Sequence, residues 1–260
     1  MKIADQILDI LADCRTEGNT LYLPDQQLDR KTYEAVNKCI VNIGGKWNRK
    51  AKGHVFDCDP TDKLDNLVLT GETTSLKNVF QFFPTPRPIA EMMCDMAEIN
   101  QHSRVLEPSA GNGALVKVIA ERGPQSIYAV EINPDMKRYL NPLKEQSLMA
   151  DRPFLYETAD FLTLNLKAKI SVNRVIMNPP FSKQQDIDHI YEAFNVLCNG
   201  GILVSVISES PFFRTNSKSI NFIGFLADNG AEITLLPEGS FKESGTMVRA
   251  RVVKIKKLRK

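Results

Sequence analysis

The residues best suited to do chemistry form one tetrapeptide, Asn178-Pro179-Pro180-Phe181, which follows a short apolar run. Two consecutive prolines fix the backbone and remove two N–H donors. The Asn178 side-chain oxygen and the Pro179 carbonyl can then both accept from one exocyclic NH2 group and orient its lone pair toward an electrophile. Phe181 offers a face on which a base can stack, a contact worth about 1–3 kcal/mol. The competing interpretation is an ordinary loop with a Pro-Pro stop.

A second candidate site is the glycine-rich segment Glu107-Pro108-Ser109-Ala110-Gly111-Asn112-Gly113-Ala114-Leu115. Gly111 and Gly113 would let the backbone turn sharply and approach a ligand, and a following helix would offer free N–H groups. Glu131 follows about 20 residues later, where an acidic side chain can accept from ribose hydroxyls. No G-K-[ST] sequence follows, which disfavours a phosphate loop. A structural turn and a solvated or capping carboxylate are the alternatives.

A third pair, Asp160-Phe161, follows another apolar run. Asp160 could accept from an adenine amino group, and Phe161 could cover the ring. In the alternative interpretation, which the sequence supports almost equally well, Asp160 caps the next helical element.

All these residues follow predicted strands, which alternate with helices. The expected strands are 104–107, 127–132, 154–159, 174–177 and 202–208, with a final antiparallel pair at 233–236 and 247–255. The expected helices are 114–122, one that starts near residue 134, 186–198 with a stop at 199–201, and 217–228. This alternation predicts a mostly parallel, doubly wound α/β sheet. Ligands bind such sheets beyond the carboxyl ends of the strands.

The chain changes character near residue 80, so we predict a small accessory region over 1–79 and a larger domain over 80–260. The accessory region should contain helices over 3–14 and 29–43, a short strand over 21–23, a basic hairpin or strand over 46–57, and a polar linker over 59–78.

With these motifs in order, residues 82–257 resemble the S-adenosylmethionine (SAM)-dependent N6-adenine methyltransferase family. The segment Phe82-Phe83-Pro84-Thr85-Pro86 looks like that family's F-x-T-P motif, 107–115 resembles its SAM loop, and 178–181 is identical to its NPPF tetrapeptide. Residues 241–246 also resemble plasmid and phage relatives. The resemblance implies a Rossmann-like class I fold: a seven-stranded, mostly parallel sheet with an antiparallel last strand, here with a small N-terminal α+β appendage.

The resemblance also implies roles for individual residues. Phe83 and Thr85 would flank the methionine moiety of SAM. The remaining cofactor contacts would come from Glu107, Ser109, Ala110, Gly111, Gly113, Glu131, Asp160 and Phe161. Asn178, Pro179, Pro180 and Phe181 would grip the target base, which would leave its stack to enter the pocket. No metal is required.

Restriction–modification relatives usually carry a large target-recognition domain after this core, and here we expect none after the last strand. Recognition would then come from residues 1–80, from loops or from a protein partner. Lys46, Trp47, Arg49, Lys50 and Lys52 could contact phosphates and stack on a base, or form a solvated hairpin. The segment 210–219 could be a mobile loop in which Phe212, Phe213 and Arg214 fill the gap left by an extruded base, or they could be core residues.

Composition restricts the remaining choices. The formal net charge is only +2, so nucleic-acid binding must depend on local patches. Five scattered cysteines favour neither a disulfide framework nor a zinc site, and they suggest a cytoplasmic protein. The sequence has no apolar run long enough to predict a membrane span.

Other functions remain open beside methylation of adenine in DNA. The target could be an amino group of RNA (adenine N6 or guanine N2) or the glutamine amide of a protein, or the chain could be an inactive SAM-binding partner subunit. Protection of mobile-element DNA from restriction would be the biological role by family analogy.

Overall fold

The computed structural model describes residues 3–57, 59–71, 84–149, 153–244 and 249–258. It contains two sheets with their own hydrophobic cores, a small one in the N-terminal unit (residues 3–71) and a large one in the remainder. The predicted boundary between residues 79 and 80 lies outside the described residues. Among the described residues, no helix is both long and apolar enough to cross a lipid bilayer.

The N-terminal unit is an α+β structure of three helices and four short strands. Its elements are α1 (Asp5–Ala12), β1 (Arg15–Glu17), β2 (Thr20–Tyr22), α2 (Arg30–Asn42), β3 (Lys46–Asn48), β4 (Gly53–Val55) and α3 (Thr61–Thr70). The strands form an antiparallel sheet in the order β1-β2-β4-β3. Asp29 starts α2 as predicted, because its carboxylate accepts from the backbone N–H of Thr32. The basic segment 46–57 forms the predicted hairpin.

The large sheet has seven strands in the order β10-β11-β9-β8-β5-β6-β7. These strands are β5 (Arg104–Glu107), β6 (Ser126–Glu131), β7 (Phe154–Thr158), β8 (Val172–Met177), β9 (Leu197–Ser208), β10 (Glu232–Leu235) and β11 (Ala250–Lys256). β5 to β9 run parallel, and β11 is antiparallel to both of its neighbours. The predicted seven-stranded sheet with an antiparallel last strand is therefore confirmed.

Helices cover both faces of this sheet. They are α4 (Arg87–Met96), α5 (Ala114–Glu121), α6 (Lys137–Met149), α7 (Gln185–Val196) and α8 (Ser217–Asp228). The first three pack on one face and the last two on the other. Successive residues of one strand enter opposite layers: Val175 joins the α7–α8 core and Ile176 the α4–α6 core. Burial on both faces explains why these strands read as continuous apolar runs.

Two sequence predictions were wrong about local structure. The linker predicted over 59–78 contains α3, whose Leu64 and Leu67 are buried in the N-terminal core. Turn-forming residues around these leucines obscured the helical spacing. The helix predicted to end at Asn199-Gly200-Gly201 ends at Val196, and these residues belong to β9.

The segment after β9 is packed, as in the core interpretation of its aromatic residues. Phe213 packs against the N-terminal core, and Phe212 packs against the α7–α8 core. Arg214 forms a buried ion pair with Asp65 of α3. The structure therefore supports the core alternative, since all three side chains are engaged in packing between elements.

Candidate active site

A cavity of about 280 Å³ opens at the carboxyl ends of the parallel strands. It lies where the strand order reverses, because β5 has β6 on one side and β8 on the other. The segment after β5 and the tetrapeptide after β8 both line it. Neighbouring strands thus bring together two motifs that are about 70 residues apart in the chain.

The structure places most predicted site residues in the wall of this cavity. These are Thr85, Glu107, Ser109, Ala110, Gly111, Glu131, Asp160, Phe161, Asn178, Pro179, Pro180 and Phe181. Gly113 is not part of the wall. It starts α5 with φ +76°, and a Cβ there would meet Leu143 Cδ1 at 2.5 Å and Leu140 Cδ2 at 3.2 Å. Phe83 lies outside the described residues.

Glu107 is a buried carboxyl at the end of β5. Its Oε1 accepts from the backbone N–H of Ser109 (3.0 Å). Its Oε2 and the Ser109 hydroxyl are buried and have no hydrogen-bond partner among the described residues. Burial raises the pKa of Glu107 well above its usual range, and the nearby Glu131 carboxylate raises this pKa further. Two unmatched buried groups in a cavity wall are expected where a polar ligand supplies the partners.

Glu131, at the end of β6, fixes the glycine-rich loop. Its Oε2 accepts from the Gly111 N–H (2.6 Å) and its Oε1 accepts from the Asn133 N–H (2.7 Å). Gly111 has φ +51°, which favours glycine at this turn. Each carboxylate oxygen keeps a second lone pair, so Glu131 can still accept from a ligand hydroxyl.

Asp160 and Phe161 form the next part of the wall, after β7. Asp160 Oδ1 accepts from the Leu162 N–H (3.0 Å), so the capping interpretation is confirmed, and the residue also faces the cavity. Phe161 is almost fully buried, with its ring 5.6 Å from that of His189. Ile132, in contrast, is 57% exposed at the cavity wall, and it is the more open apolar surface for a flat ring.

Asn178 lies in the part of the cavity wall that follows β8. Its Nδ2 donates to the Thr85 hydroxyl (3.2 Å), and Thr85 itself is buried. This bond sets the orientation of the amide and makes Oδ1 its acceptor end. The segment before α4 is held in turn by the Ser244 hydroxyl, which donates to the Pro84 carbonyl (2.6 Å). Phe181 is only 7% exposed, so most of its ring packs into the core.

Sequence reasoning missed two wall residues of note, Ile132 and His189. Ile132 could have been found as an apolar residue directly after Glu131, at the end of a strand. His189 lies one helical turn after Gln185 and hydrogen-bonds its carbonyl through Nδ1 (2.9 Å). Burial lowers the pKa of His189, which favours the neutral ring. Only the helical spacing of the buried residues along α7 could have predicted that His189 faces inward.

The hairpin residues Lys46, Trp47, Arg49, Lys50 and Lys52 are all exposed. Trp47 is 50% exposed, and its ring packs edge-on against His54 at 5.1 Å. Asn48 Oδ1 accepts from the N–H groups of Lys50 and Ala51, which orders the turn. Within the described ranges, none of the four cations forms an ion pair, and no group of three His, Cys, Asp or Glu side chains is placed to hold a metal.

Solved structures share this fold at low sequence identity. A type I restriction–modification system methyltransferase subunit from Streptococcus thermophilus has a TM-score of 0.60 and 20% identity, over 88% of this chain and 54% of its own. A protein from Pyrococcus horikoshii, provisionally described as an RNA methyltransferase, has a TM-score of 0.50 and 19% identity, over 72% of this chain and 94% of its own. No protein-family model and no curated protein matches the sequence. The chain therefore has the Rossmann-like fold of class I methyltransferases, and it spans about half of the restriction–modification subunit.

Proposed function

We propose that the protein is an enzyme that transfers a methyl group from SAM to an exocyclic amino group of a nucleic-acid base, with adenine N6 in DNA as the target. One observation carries the proposal: the Asn178 amide, oriented by Thr85, lies in the same cavity as the buried Glu107–Gly111 loop. The restriction–modification subunit that shares the fold is consistent with a DNA substrate.

The wall after β5, β6 and β7 fits SAM. When bound, SAM supplies an electrophilic methyl group on a sulfonium. Glu107 Oε2 and the Ser109 hydroxyl would meet polar groups of its methionine end, with Thr85 close by and Phe83 as a further proposed contact. Glu131 would accept from the ribose hydroxyls. Asp160 would accept from the adenine amino group, and Ile132 and Phe161 would cover the ring.

The wall after β8 fits a target amine. Asn178 Oδ1 and the Pro179 carbonyl would accept its two hydrogens, Pro180 would keep the backbone rigid, and the open part of Phe181 would contact the ring. Holding the amine in line is the main catalytic contribution, because orientation and preorganised dipoles lower the barrier. In the proposed step the amine lone pair would form the new N–C bond while the S–CH3 bond breaks and its electrons return to sulfur, which would leave S-adenosylhomocysteine as a neutral thioether. The nitrogen would then be cationic, and its proton would leave to water.

Replacement of Asn178 tests the chemistry. Asn178→Ala should lower kcat by about 100- to 1,000-fold, the range seen when one preorganised hydrogen-bonding group is removed from an active site. The assay is transfer of labelled methyl from SAM to unmethylated duplex DNA, with total RNA and protein substrates in parallel. Asn165→Ala, at an exposed asparagine on the same domain, is the matched control. Turnover of Asn178→Ala at the control rate would contradict the assignment.

The substrate arms of that assay separate the alternatives. Label in DNA as N6-methyladenine supports the full proposal. Label confined to RNA keeps the amino-group chemistry and replaces the substrate, and label confined to protein points to a glutamine amide. SAM binding without transfer to any substrate would favour an inactive subunit or a missing partner protein.

The hairpin is the proposed nucleic-acid contact. The cations at its turn, Arg49, Lys50 and Lys52, form no ion pair with a described residue. They should bind phosphates, and Trp47 should stack on a base or sugar. Replacing the three cations with Gln should flatten the slope of log affinity against log salt by about 0.9 for each phosphate that is no longer neutralised. Replacement of Lys117, Lys137 and Lys169, three exposed lysines of the large domain, is the charge-matched control. Equal slopes for the two triple variants would reject the hairpin as the phosphate-binding surface.

A further inference from the structure

The N-terminal unit packs directly on the backbone that follows the tetrapeptide. Helix α3 contacts Ser182–Gln184, the short turn after Phe181. Phe213, which follows β9 in the large domain, packs into the N-terminal core. The two units therefore meet beside the wall that the target base is proposed to contact.

The turn at Ser182–Gln184 needs outside support for its shape. Lys183 and Gln184 both have left-handed backbones, with φ +56° and +54°, which side chains other than glycine rarely adopt. Gln184 is buried, its Nε2 donates to the Ser219 hydroxyl (2.7 Å), and its Oε1 accepts from Asn216 (3.3 Å). These bonds connect the turn to the start of α8, and α3 also contacts the turn.

A buried ion pair joins the two units at this place. The side chains of Asp65 on α3 and Arg214 after β9 are 5% and 6% exposed. Arg214 belongs to a segment that is anchored on the large sheet: Arg251 binds Glu209 (2.6 Å) and lies 4.3 Å from the centre of the Phe212 ring. A buried ion pair requires close geometry, because only a well-placed pair repays the desolvation of both charges.

We infer that Asp65 and Arg214 are positioning residues for methyl transfer: they seat α3 on the Ser182–Gln184 turn and so hold the Asn178–Phe181 tetrapeptide in register with the target amine. This inference rests on the proposed function, and it assigns the N-terminal unit a part in catalytic geometry as well as in nucleic-acid contact. Neither residue touches the cofactor wall, so the pair acts on kcat and leaves SAM affinity unchanged.

The test uses the full chain with Asp65→Leu, Arg214→Met and the double variant. Each single variant should lower kcat by about 100-fold, the scale of a small misplacement of reacting groups. Amide hydrogen exchange of peptides covering Phe181–Ile187 should become faster, and the Kd for SAM should not change. The double variant should recover most of kcat and of the protection, since an apolar pair fills the same space without a buried charge. Glu34→Gln, which breaks the exposed Arg30–Glu34 pair of α2, is the control.

Wild-type kcat and wild-type exchange in both single variants would overturn the inference. So would equal losses of SAM affinity and kcat, which would indicate general destabilisation, or a double variant as poor as the single ones. The exchange measurement does not depend on activity. If the wild-type protein methylates no substrate while Asp65→Leu still releases the turn, the proposed function fails and the structural coupling stands.

Discussion

At the glycine-loop end of the cavity, polar groups are held by partners close in the chain, whereas at the tetrapeptide end they are held by distant ones. Glu107 binds the N–H two residues on, and Glu131 binds the N–H of Gly111, 20 residues away. Asn178 binds Thr85, 93 residues away, and Gln184 binds Ser219, 35 residues away. The bonds at the glycine-loop wall join residues at most 20 positions apart, whereas those at the tetrapeptide wall join residues at least 35 positions apart.

Substitutions in the two walls should therefore have different effects. Changes at the glycine-loop wall should act on ligand affinity and on local stability, because the loop carries its own supports. Changes at the tetrapeptide wall should act on the orientation of the target and leave the ligand wall intact. Single substitutions on each wall can test this separation.

Glu107→Gln should have the largest effect on cofactor affinity. The amide keeps an acceptor for the Ser109 N–H but removes the charge, and a hydrogen bond to a charged group contributes about 1.5–3 kcal/mol. The Kd for SAM should rise by about 10- to 100-fold. Isothermal titration would measure it, with Glu145→Gln at an exposed position as the control. An unchanged Kd would mean that the buried carboxyl does not contact the ligand.

The same variant should change how stability depends on pH. Burial raises the pKa of Glu107 in the folded protein, so the unfolding free energy of the ligand-free wild type should fall as pH rises from about 4.3 through that raised pKa. Glu107→Gln removes this contribution and should be the more stable protein at neutral pH. Denaturant titrations at several pH values would show parallel curves if Glu107 ionises normally.

Gly113→Ala tests the local supports of the loop. A side chain at φ +76° is strained, and its Cβ would press against Leu143. The cost should be about 1–3 kcal/mol of unfolding free energy. Gly224→Ala, in α8 with no atom within 4 Å of the new Cβ, should instead stabilise by about 0.5–1 kcal/mol. Equal effects in thermal unfolding would show that the Gly113 turn is not required.

Thr85→Val should have the smallest effect of these substitutions, and it should change kcat more than it changes the affinity for SAM. It removes the hydroxyl that accepts from Asn178 Nδ2, and a part-buried hydrogen bond of this kind contributes about 1 kcal/mol. We expect kcat to fall by about 5- to 10-fold, while Thr85→Ser keeps most activity. A larger effect on SAM affinity than on kcat would show that Thr85 acts mainly on the cofactor, and it would contradict the assignment of Thr85 to the tetrapeptide wall.

The fold could be predicted from the sequence because the patterns that indicate strands and helices are local. Apolar runs that end in Glu107, Glu131 and Met177, with helical periods between them, are sufficient to predict a parallel sheet and to place the motifs at one edge. The contact between Asn178 and Thr85 had no such signal, since resemblance assigned Thr85 to the methionine moiety only. The buried pair of Asp65 and Arg214 was equally hidden, because nothing local indicates that two distant charges meet.

The N-terminal unit shows the same limit. Its basic segment 46–57 was predicted as a hairpin or strand, but α3 was predicted as part of a linker because residues 59–78 are polar and rich in turn-forming residues. The buried side chains of Leu64, Leu67 and Val68 join a core that also contains residues of α1 and α2. The apolar face of α3 becomes evident only when α3 is seen packed against the rest of the N-terminal unit.

The exposed indole of the hairpin gives the protein a built-in optical label. Trp47 is the one tryptophan of the chain, it is half-exposed, and its ring touches His54 alone among the aromatic contacts of the described residues. Intrinsic fluorescence excited at the indole band therefore arises from one position, on the surface proposed to meet phosphates and bases. Quenching of that emission follows occupancy of the hairpin without any added dye, and it does so in every variant that leaves Trp47 in place.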